Sequence, residues 1–133
     1  MIDSKYFIDY SRDVGRGTCS VVRKCVDRKT SERFAVKTIN KYRCQQIEQM
    51  RNEIELLKEL DHPHVLSLVD VYEDSNYLHL VTEYCKGGEI YGHMVKGKQT
   101  KVTQEREAVS IVKQLLDAVS YLHGKDIVHR DLK

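Results

Sequence analysis

Alternating strand-like segments at the start of the chain are the feature that most limits its fold. Three segments in the first forty residues alternate apolar and polar side chains, as half-buried strands do: "YFIDYSRDV", "SVVRKCVD" and "RFAVKTIN". A glycine-containing turn joins the first two, and "RKTSE" joins the last two. Short connections of this kind favour antiparallel neighbours, so we predict a β-meander here.

The middle of the chain combines one helix with two further strands. Apolar periodicity predicts a helix from about Cys44 to Leu60, and "DHPH" follows it with Pro63, which cannot continue a helix. The segments "VLSLVDVY" and "YLHLVTEY" then return to the strand pattern. The first part of the chain is therefore predicted to be β-rich with one helix.

A change from a strand pattern to a helical pattern at "CKGGEI" predicts a domain boundary. The paired glycines break the strand pattern, and a long helix is predicted from about Gln104 to His123, with Gly124 as its C-terminal stop. We expect an α+β protein with a β-rich domain over 1–84 and a hinge plus helical domain over 85–133.

Composition excludes several classes of function. The chain has 133 residues, is 41% apolar and 32% charged, and carries a net charge of +2 that is mixed along its length, so we expect no nucleic-acid or membrane partner. No stretch resembles a signal peptide or membrane span, which predicts an intracellular, cytoplasmic protein. No CxxC pair or zinc spacing occurs, so reduced thiols and no metal site are expected. The cysteines are Cys19, Cys25, Cys44 and Cys85.

The turn "GRGTCSVV" is the first candidate for binding chemistry. Gly15 and Gly17 lack side chains, so backbone amides there could approach phosphate oxygens. A flexible hairpin turn would explain the same residues. A dinucleotide-binding loop is disfavoured because a strand follows this turn, whereas that motif leads into a helix.

A lysine on a strand and a glutamate on the next helix form the second candidate. Alternation puts Lys37 on one strand face with Ala35 and Ile39; an edge lysine that reaches solvent is the alternative reading. Glu53 falls within the apolar arc of the helix, where no cation on its own helix can pair with it. An inward carboxylate needs a partner, and Lys37 is the natural one. The arc contains Ile47, Met50, Ile54, Leu57 and Leu60.

These motifs together resemble a eukaryotic protein kinase. The glycine-rich turn, "FAVK", "RNEIELL", the hinge-like "LVTEYCKGG" and the final "HRDLK" stand in that family's order, and the resemblance covers essentially the whole chain. It implies the kinase N-terminal lobe, a five-stranded antiparallel sheet plus one long helix, with the first helices of the C-terminal lobe.

The resemblance also implies an ATP site. Lys37 would pair the α and β phosphates with Glu53 as its partner, and Thr82 would be the gatekeeper. The main chain of Glu83 and Cys85 would bind the adenine edge, and Glu89 would meet the ribose or a basic substrate side chain. The residues expected around ATP are Val14, Gly15, Arg16, Gly17, Thr18, Cys19, Ser20, Val22, Ala35, Lys37, Thr82, Glu83, Cys85 and Glu89.

The segment "HRDLK" resembles the catalytic loop. Asp131 would accept or orient the proton of the substrate hydroxyl, and Lys133 would stabilise the transferring phosphoryl group. His129 would be structural, and Arg130 would contact a phosphorylated activation loop. The Mg²⁺ ligands, the catalytic-loop Asn and the DFG Asp, would lie beyond Lys133. We therefore expect no efficient phosphoryl transfer from this chain alone, and an exposed apolar face on its long helix.

The finer resemblance is to serine/threonine kinases of the calcium/calmodulin-dependent and calcium-dependent group. Lys133 fits the serine/threonine class, and Ser20, "SVVRKCV", "DHPHV" and "EYCKGGEI" fit that group. It implies ATP and a protein substrate as partners, with calcium-sensing or calmodulin regulation, although this chain has no EF-hand loop. The alternative is a non-catalytic pseudokinase or truncated interaction module, against which the intact Lys37, Glu53 and Asp131 argue.

Overall fold

Two compact units make up the chain. The computed structural model describes residues 1–88, 90, 101–130 and 132, with the backbone alone for 101–104. The first unit comprises Met1–Leu60 and Leu66–Cys85, and the second comprises Asp61–Val65 and Lys86–Lys133. The short segment after the first helix therefore belongs to the second unit.

The first unit is built on a five-stranded antiparallel sheet in the order β1-β2-β3-β5-β4. This confirms the predicted fold class. A short 3-10 helix at Ile2–Ser4 precedes the sheet. The strands are β1 (Tyr6–Arg16), β2 (Ser20–Asp27), β3 (Arg33–Asn40), β4 (Leu68–Glu73) and β5 (Tyr77–Glu83), and helix α1 (Ile47–Lys58) connects β3 to β4.

Two boundaries differ from the predicted ones. Helix α1 is shorter than the expected stretch from Cys44 to Leu60, because turns occupy the residues just before it. Strand β4 begins three residues later than "VLSLVDVY" suggests, since the Val65 N–H donates to the His62 carbonyl at 3.1 Å and closes a turn. Apolar residues in this region are thus shared between a turn and a strand.

The sheet has a hydrophobic cluster on each face. On one face Val36 packs with Tyr6, Cys25 and Val81, and on the other Ile39 packs with Leu78 and Leu80. Val36 and Ile39 thus lie on opposite faces, as the alternation of β3 predicts.

Helix α1 contacts the sheet through a narrow stripe. Ile54 is 3% exposed and joins the Ile39 cluster, with Ile47 and Met50 packed beside it. Glu53 is exposed, so the prediction that it points into the core is wrong. The reason is angular: Glu53 lies about 100° around the helix from Ile54, at the edge of the apolar arc, where water reaches it.

The second unit contains helix α2 (Lys101–His123), of which Ala118 and Leu122 are buried. The helix ends before Gly124, as predicted, but the left-handed residue that follows is Asp126, with φ of 59°. The segment 61–65 packs on α2 within this unit: the Asp61 N–H donates to the Tyr121 hydroxyl at 2.9 Å.

Hydropathy adds one finding to this architecture. Within the described part of the chain, no helix combines the length and apolar character that crossing a membrane requires.

Candidate functional site

The glycine-rich turn between β1 and β2 is tight at Gly17. Its N–H donates to the Ser20 carbonyl at 2.8 Å, and a Cβ added at Gly17 would lie 2.9 Å from the Ser20 hydroxyl oxygen. At Gly15 the nearest atom to such a Cβ is 4.0 Å away, an ordinary contact. A Cβ at Gly17 would therefore require the Ser20 hydroxyl to shift, whereas a Cβ at Gly15 would fit without a close contact.

Strand register brings the predicted ATP residues onto one face of the sheet. Val22 lies opposite both Gly15 on β1 and Lys37 on β3. Ala35 lies opposite Thr82 on β5. Paired residues share a face, neighbouring strands are about 4.8 Å apart, and alternate residues along a strand are about 6.7 Å apart. The five side chains or backbone positions thus form one continuous surface.

This surface combines an apolar patch with one cation. Val22, Ala35 and Thr82 are half-buried, whereas Lys37 is exposed. A flat apolar ring can lie against half-buried aliphatic side chains, and an exposed ammonium attracts phosphate oxygens. The arrangement suits a ligand that joins an aromatic ring to phosphates.

Lys37 also lies close to the glycine-rich turn. Burial raises the pKa of the Cys19 thiol in that turn, and hydrogen bonding with Cys44 raises it further, while the positive charge of Lys37 acts in the opposite direction. An electrostatic effect of Lys37 on Cys19 requires proximity. Phosphates held by the turn would therefore meet the ammonium.

The expected ion pair between Lys37 and Glu53 is absent from this structure. Both residues are described and both side chains are exposed, yet no ion pair joins them. The carboxylate therefore does not hold the ammonium here, because α1 presents Ile54 and not Glu53 to the sheet.

The end of β5 offers backbone groups to a ligand. The Glu83 N–H donates to the Ser67 carbonyl at 3.3 Å, and the Glu83 side chain accepts from the Ser67 N–H at 2.9 Å. The Glu83 N–H is thus engaged with the segment before β4, so its carbonyl is the group that could accept from an adenine edge. The Thr82 hydroxyl donates to that carbonyl at 3.3 Å, and Cys85 is exposed.

The other predicted site residues fall into two sets. Val14, Arg16 and Thr18 are exposed, and Arg16 pairs with Asp13 at 2.6 Å. Glu89, Asp131 and Lys133 lie outside the described residues, so the structure neither brings them to the site nor separates them from it. Arg130 beside Asp131 has φ of 64°, a left-handed conformation that is uncommon for a residue other than glycine.

A cavity of about 700 Å³ lies on the opposite face of the sheet and reaches the glycine-rich turn, where it is lined by Gly17, Thr18, Cys19 and Ser20. Val21, Arg23, Thr38 and His79 line it, and these alternate with the residues of the candidate site along their strands. The cavity therefore lies on the other side of the sheet from Lys37, but it shares the glycine-rich turn with the candidate site. In the part of the chain that is described, no group of three or more His, Cys, Asp or Glu residues could hold a metal ion.

Comparison with known families decides what kind of protein this surface belongs to. The protein kinase domain family matches residues 8–133, nearly the whole chain. The chain belongs to the protein kinase family. The kinase assignment explains why an exposed lysine stands in register with apolar residues beside a glycine-rich turn.

Individual relatives of the chain include calcium-dependent protein kinases. The chain is 41% identical over 120 residues to calcium-dependent protein kinase 5 of Plasmodium berghei. This alignment covers 90% of the chain and 21% of that protein. It is 38% identical over 136 residues to calcium-dependent protein kinase 8 of Arabidopsis thaliana, covering 98% and 25%. The chain thus spans about a fifth to a quarter of these relatives.

A solved kinase structure shares the fold. The crystal structure of Rad53 1–466 in complex with AMP-PNP superposes with a TM-score of 0.83 at 32% identity, covering 99% of this chain and 34% of that one. The match covers nearly the whole of this chain and supports its kinase fold.

Cys44 is the residue near the site that the sequence reasoning missed. It lies between β3 and α1 and packs against the same cluster as Cys19. Its type and spacing carry no motif, so no pattern in the sequence could have selected it.

Proposed function

We propose that the chain is the ATP-binding part of a serine/threonine protein kinase, which transfers the γ-phosphoryl group of ATP to Ser or Thr hydroxyls. The carrying observation is the exposed Lys37 on the half-buried surface of Val22 and Ala35, beside the glycine-rich turn. The first unit would be the N-terminal lobe, and the second would begin the C-terminal lobe. Family membership supports this reading.

Each residue of the surface has a distinct part in this proposal. The adenine ring lies on Val22 and Ala35, the Glu83 carbonyl accepts from its amino group, and backbone amides near Gly17 approach the phosphates. Lys37 holds the α and β phosphates as a point charge. Mg²⁺ bound with ATP would neutralise phosphate charge. Asp131 would orient the substrate hydroxyl.

Ion pairing of Lys37 with Glu53 belongs to the active form in this proposal. Both side chains are free to move because both are exposed, and α1 is anchored mainly by Ile54. A rotation of α1 that turns Glu53 toward the sheet would form the pair. Regulation of the kinase would then act through the orientation of this helix.

Calcium-dependent regulation is the finer part of the proposal. The two curated relatives described above are named calcium-dependent protein kinases. We infer the same class of control for the full-length protein, with a protein substrate, and a preference for a basic residue on the N-terminal side of the phosphorylated residue, read by Glu89.

The test is a Lys37→Met variant of the full-length protein, assayed for transfer from ATP to a protein substrate. Removal of the phosphate-binding ammonium is expected to lower kcat/KM by about 10²-fold or more. Lys29→Met is the matched control, because Lys29 is exposed in the turn between β2 and β3, away from the surface. Equal turnover in the Lys37 variant and the wild type, with both folded by circular dichroism, would reject the assignment.

A non-catalytic interaction module is the second candidate, and the unformed pair between Lys37 and Glu53 favours it. ATP binding does not separate the two, since both could bind nucleotide. Phosphoryl transfer and partner binding by the same Lys37→Met variant distinguish the two candidates. A kinase loses its phosphorylated product, whereas a binding module shows no product in the wild type and keeps its partner affinity in the variant.

A further inference from the structure

Two cysteines from different elements pack against one hydrophobic cluster beside the glycine-rich turn. Cys19 lies in the turn itself, and Cys44 lies between β3 and α1. Both are half-buried, and both pack against the cluster of Ile39, Ile54, Leu78 and Leu80. The two thiols thus share one hydrophobic environment.

Hydrogen bonds made by Asn40 explain why Cys19 and Cys44 pack against the same cluster. The Asn40 N–H at the end of β3 donates to the Cys19 carbonyl at 2.8 Å. The Asn40 side-chain oxygen accepts from the N–H groups of Tyr42 and Arg43 at 3.0 and 3.3 Å, which closes a turn directly before Cys44. The chain therefore returns toward the glycine-rich turn as soon as it leaves the sheet.

We propose that Cys19 and Cys44 form a reversible disulfide when the protein meets a peroxide, and that this bond weakens ATP binding. The second half rests on the proposed function. Disulfides in reducing compartments are usually transient and redox-sensing, which fits a reversible bond at a ligand-binding turn.

The chemistry uses two thiols and one peroxide. The thiolate of one cysteine attacks a peroxide oxygen; an S–O bond forms, the O–O bond breaks, and the leaving hydroxide takes a proton to become water. The second thiolate attacks the sulfenic sulfur, forms the S–S bond and displaces hydroxide, which leaves as water. Hydrogen peroxide is thus reduced to two waters, and a thiol reductant returns the disulfide to two thiols.

The other cysteines are poor partners for this reaction. Cys25 is 1% exposed, and burial raises its pKa to about 11, so it remains a buried, protonated thiol at neutral pH. Cys85 is exposed at the end of β5 and does not belong to the cluster. Because burial also raises the pKa of Cys19, the reaction is expected to accelerate as the pH rises above neutrality.

A bond between the cysteines would restrict the phosphate-binding element. The glycines of the turn give its backbone freedom to approach phosphates, and a crosslink to the segment before α1 removes that freedom. The bond would lie on the face that carries Lys37 and Ile39. If only about a tenth of the oxidised molecules can open the turn, apparent nucleotide affinity falls about tenfold.

The first measurement detects the bond without reference to nucleotide. The full-length protein is treated with hydrogen peroxide at pH 8, its free thiols are alkylated, and its peptides are mapped by mass spectrometry before and after dithiothreitol. A linked pair of peptides containing Cys19 and Cys44, lost in Cys44→Ser and retained in Cys85→Ser, is the expected result. Sulfinic acids at these cysteines, or links elsewhere, would overturn the proposal.

The second measurement titrates AMP-PNP with Mg²⁺ into reduced and oxidised protein. The dissociation constant should rise about tenfold on oxidation, return with dithiothreitol, and be insensitive to peroxide in Cys44→Ser. Unchanged affinity in a protein that carries the disulfide would refute the regulatory effect. Absence of binding to the reduced protein would instead reject the proposed function, whatever the peptide map shows.

Discussion

At the scale of single residues, His79 shows how a buried titratable group ties stability to pH. It is 8% exposed on β5, with the Thr38 hydroxyl 3.0 Å from Nδ1 and an Asp74 oxygen 3.7 Å from Nε2. Burial lowers its pKa from 6.5 although Asp74 favours the charged form. The unfolded chain therefore takes up this proton more readily than the folded one.

Stability should consequently fall as the pH drops from 7 toward 5. The contribution of His79 to the free energy of unfolding is fully present above pH 6.5, the ordinary pKa of histidine. It is lost as the pH falls through the lower pKa of the folded state. Replacement by phenylalanine should flatten the free energy of unfolding measured in urea across this window, and His123→Gln, at an exposed helix end, should not. The lowered pKa values of Asp74 and Glu73 act in a more acidic range. An unchanged pH dependence in His79→Phe would contradict the explanation.

At the scale of elements, α1 shows how much of a helix its sequence determines. The periodicity correctly predicts a helix whose Ile47, Met50 and Ile54 meet the sheet. It does not determine the rotation of the helix about its axis within the wide apolar arc. Glu53, at the edge of that arc, was therefore placed inward by the pattern and is exposed in the structure.

Ile54 is expected to be the main anchor of α1. It is the buried residue of this helix, so Ile54→Ala should lower the free energy of unfolding by about 2–5 kcal/mol. Leu56→Ala is the matched control, since Leu56 is 47% exposed and its truncation should cost less than about 1 kcal/mol. Urea unfolding followed by circular dichroism measures both. Equal losses in the two variants would show that α1 is docked on a different face.

At the scale of the whole molecule, the second unit leaves apolar side chains in water. On α2, Val109, Val112 and Leu116 recur at spacings of three and four and are all more than half exposed. Such a stripe along one helix face is typical of a surface that other elements cover. The exposed face that the kinase resemblance predicts is thus present in the described part of α2.

The 133-residue chain alone is expected to self-associate at micromolar concentration through this stripe. Sedimentation velocity should show dimers or larger species, and a Val112→Glu, Leu116→Glu variant should return the chain to a monomer. Gln114→Glu is the control, because it adds a negative charge to an exposed side chain on the side of the helix opposite the stripe. A monomeric wild-type chain would contradict the expectation.

The sequence by itself determined the order of the elements, the kinase family and the strand face that carries Lys37, because alternation along a strand is a local property. Only the tertiary structure decided that Glu53 is exposed and that Cys19 and Cys44 pack against the same hydrophobic cluster. Both outcomes depend on how separate elements pack and rotate against one another. No periodicity within one element records that geometry, since the energy that sets it comes from contacts between residues distant in the chain.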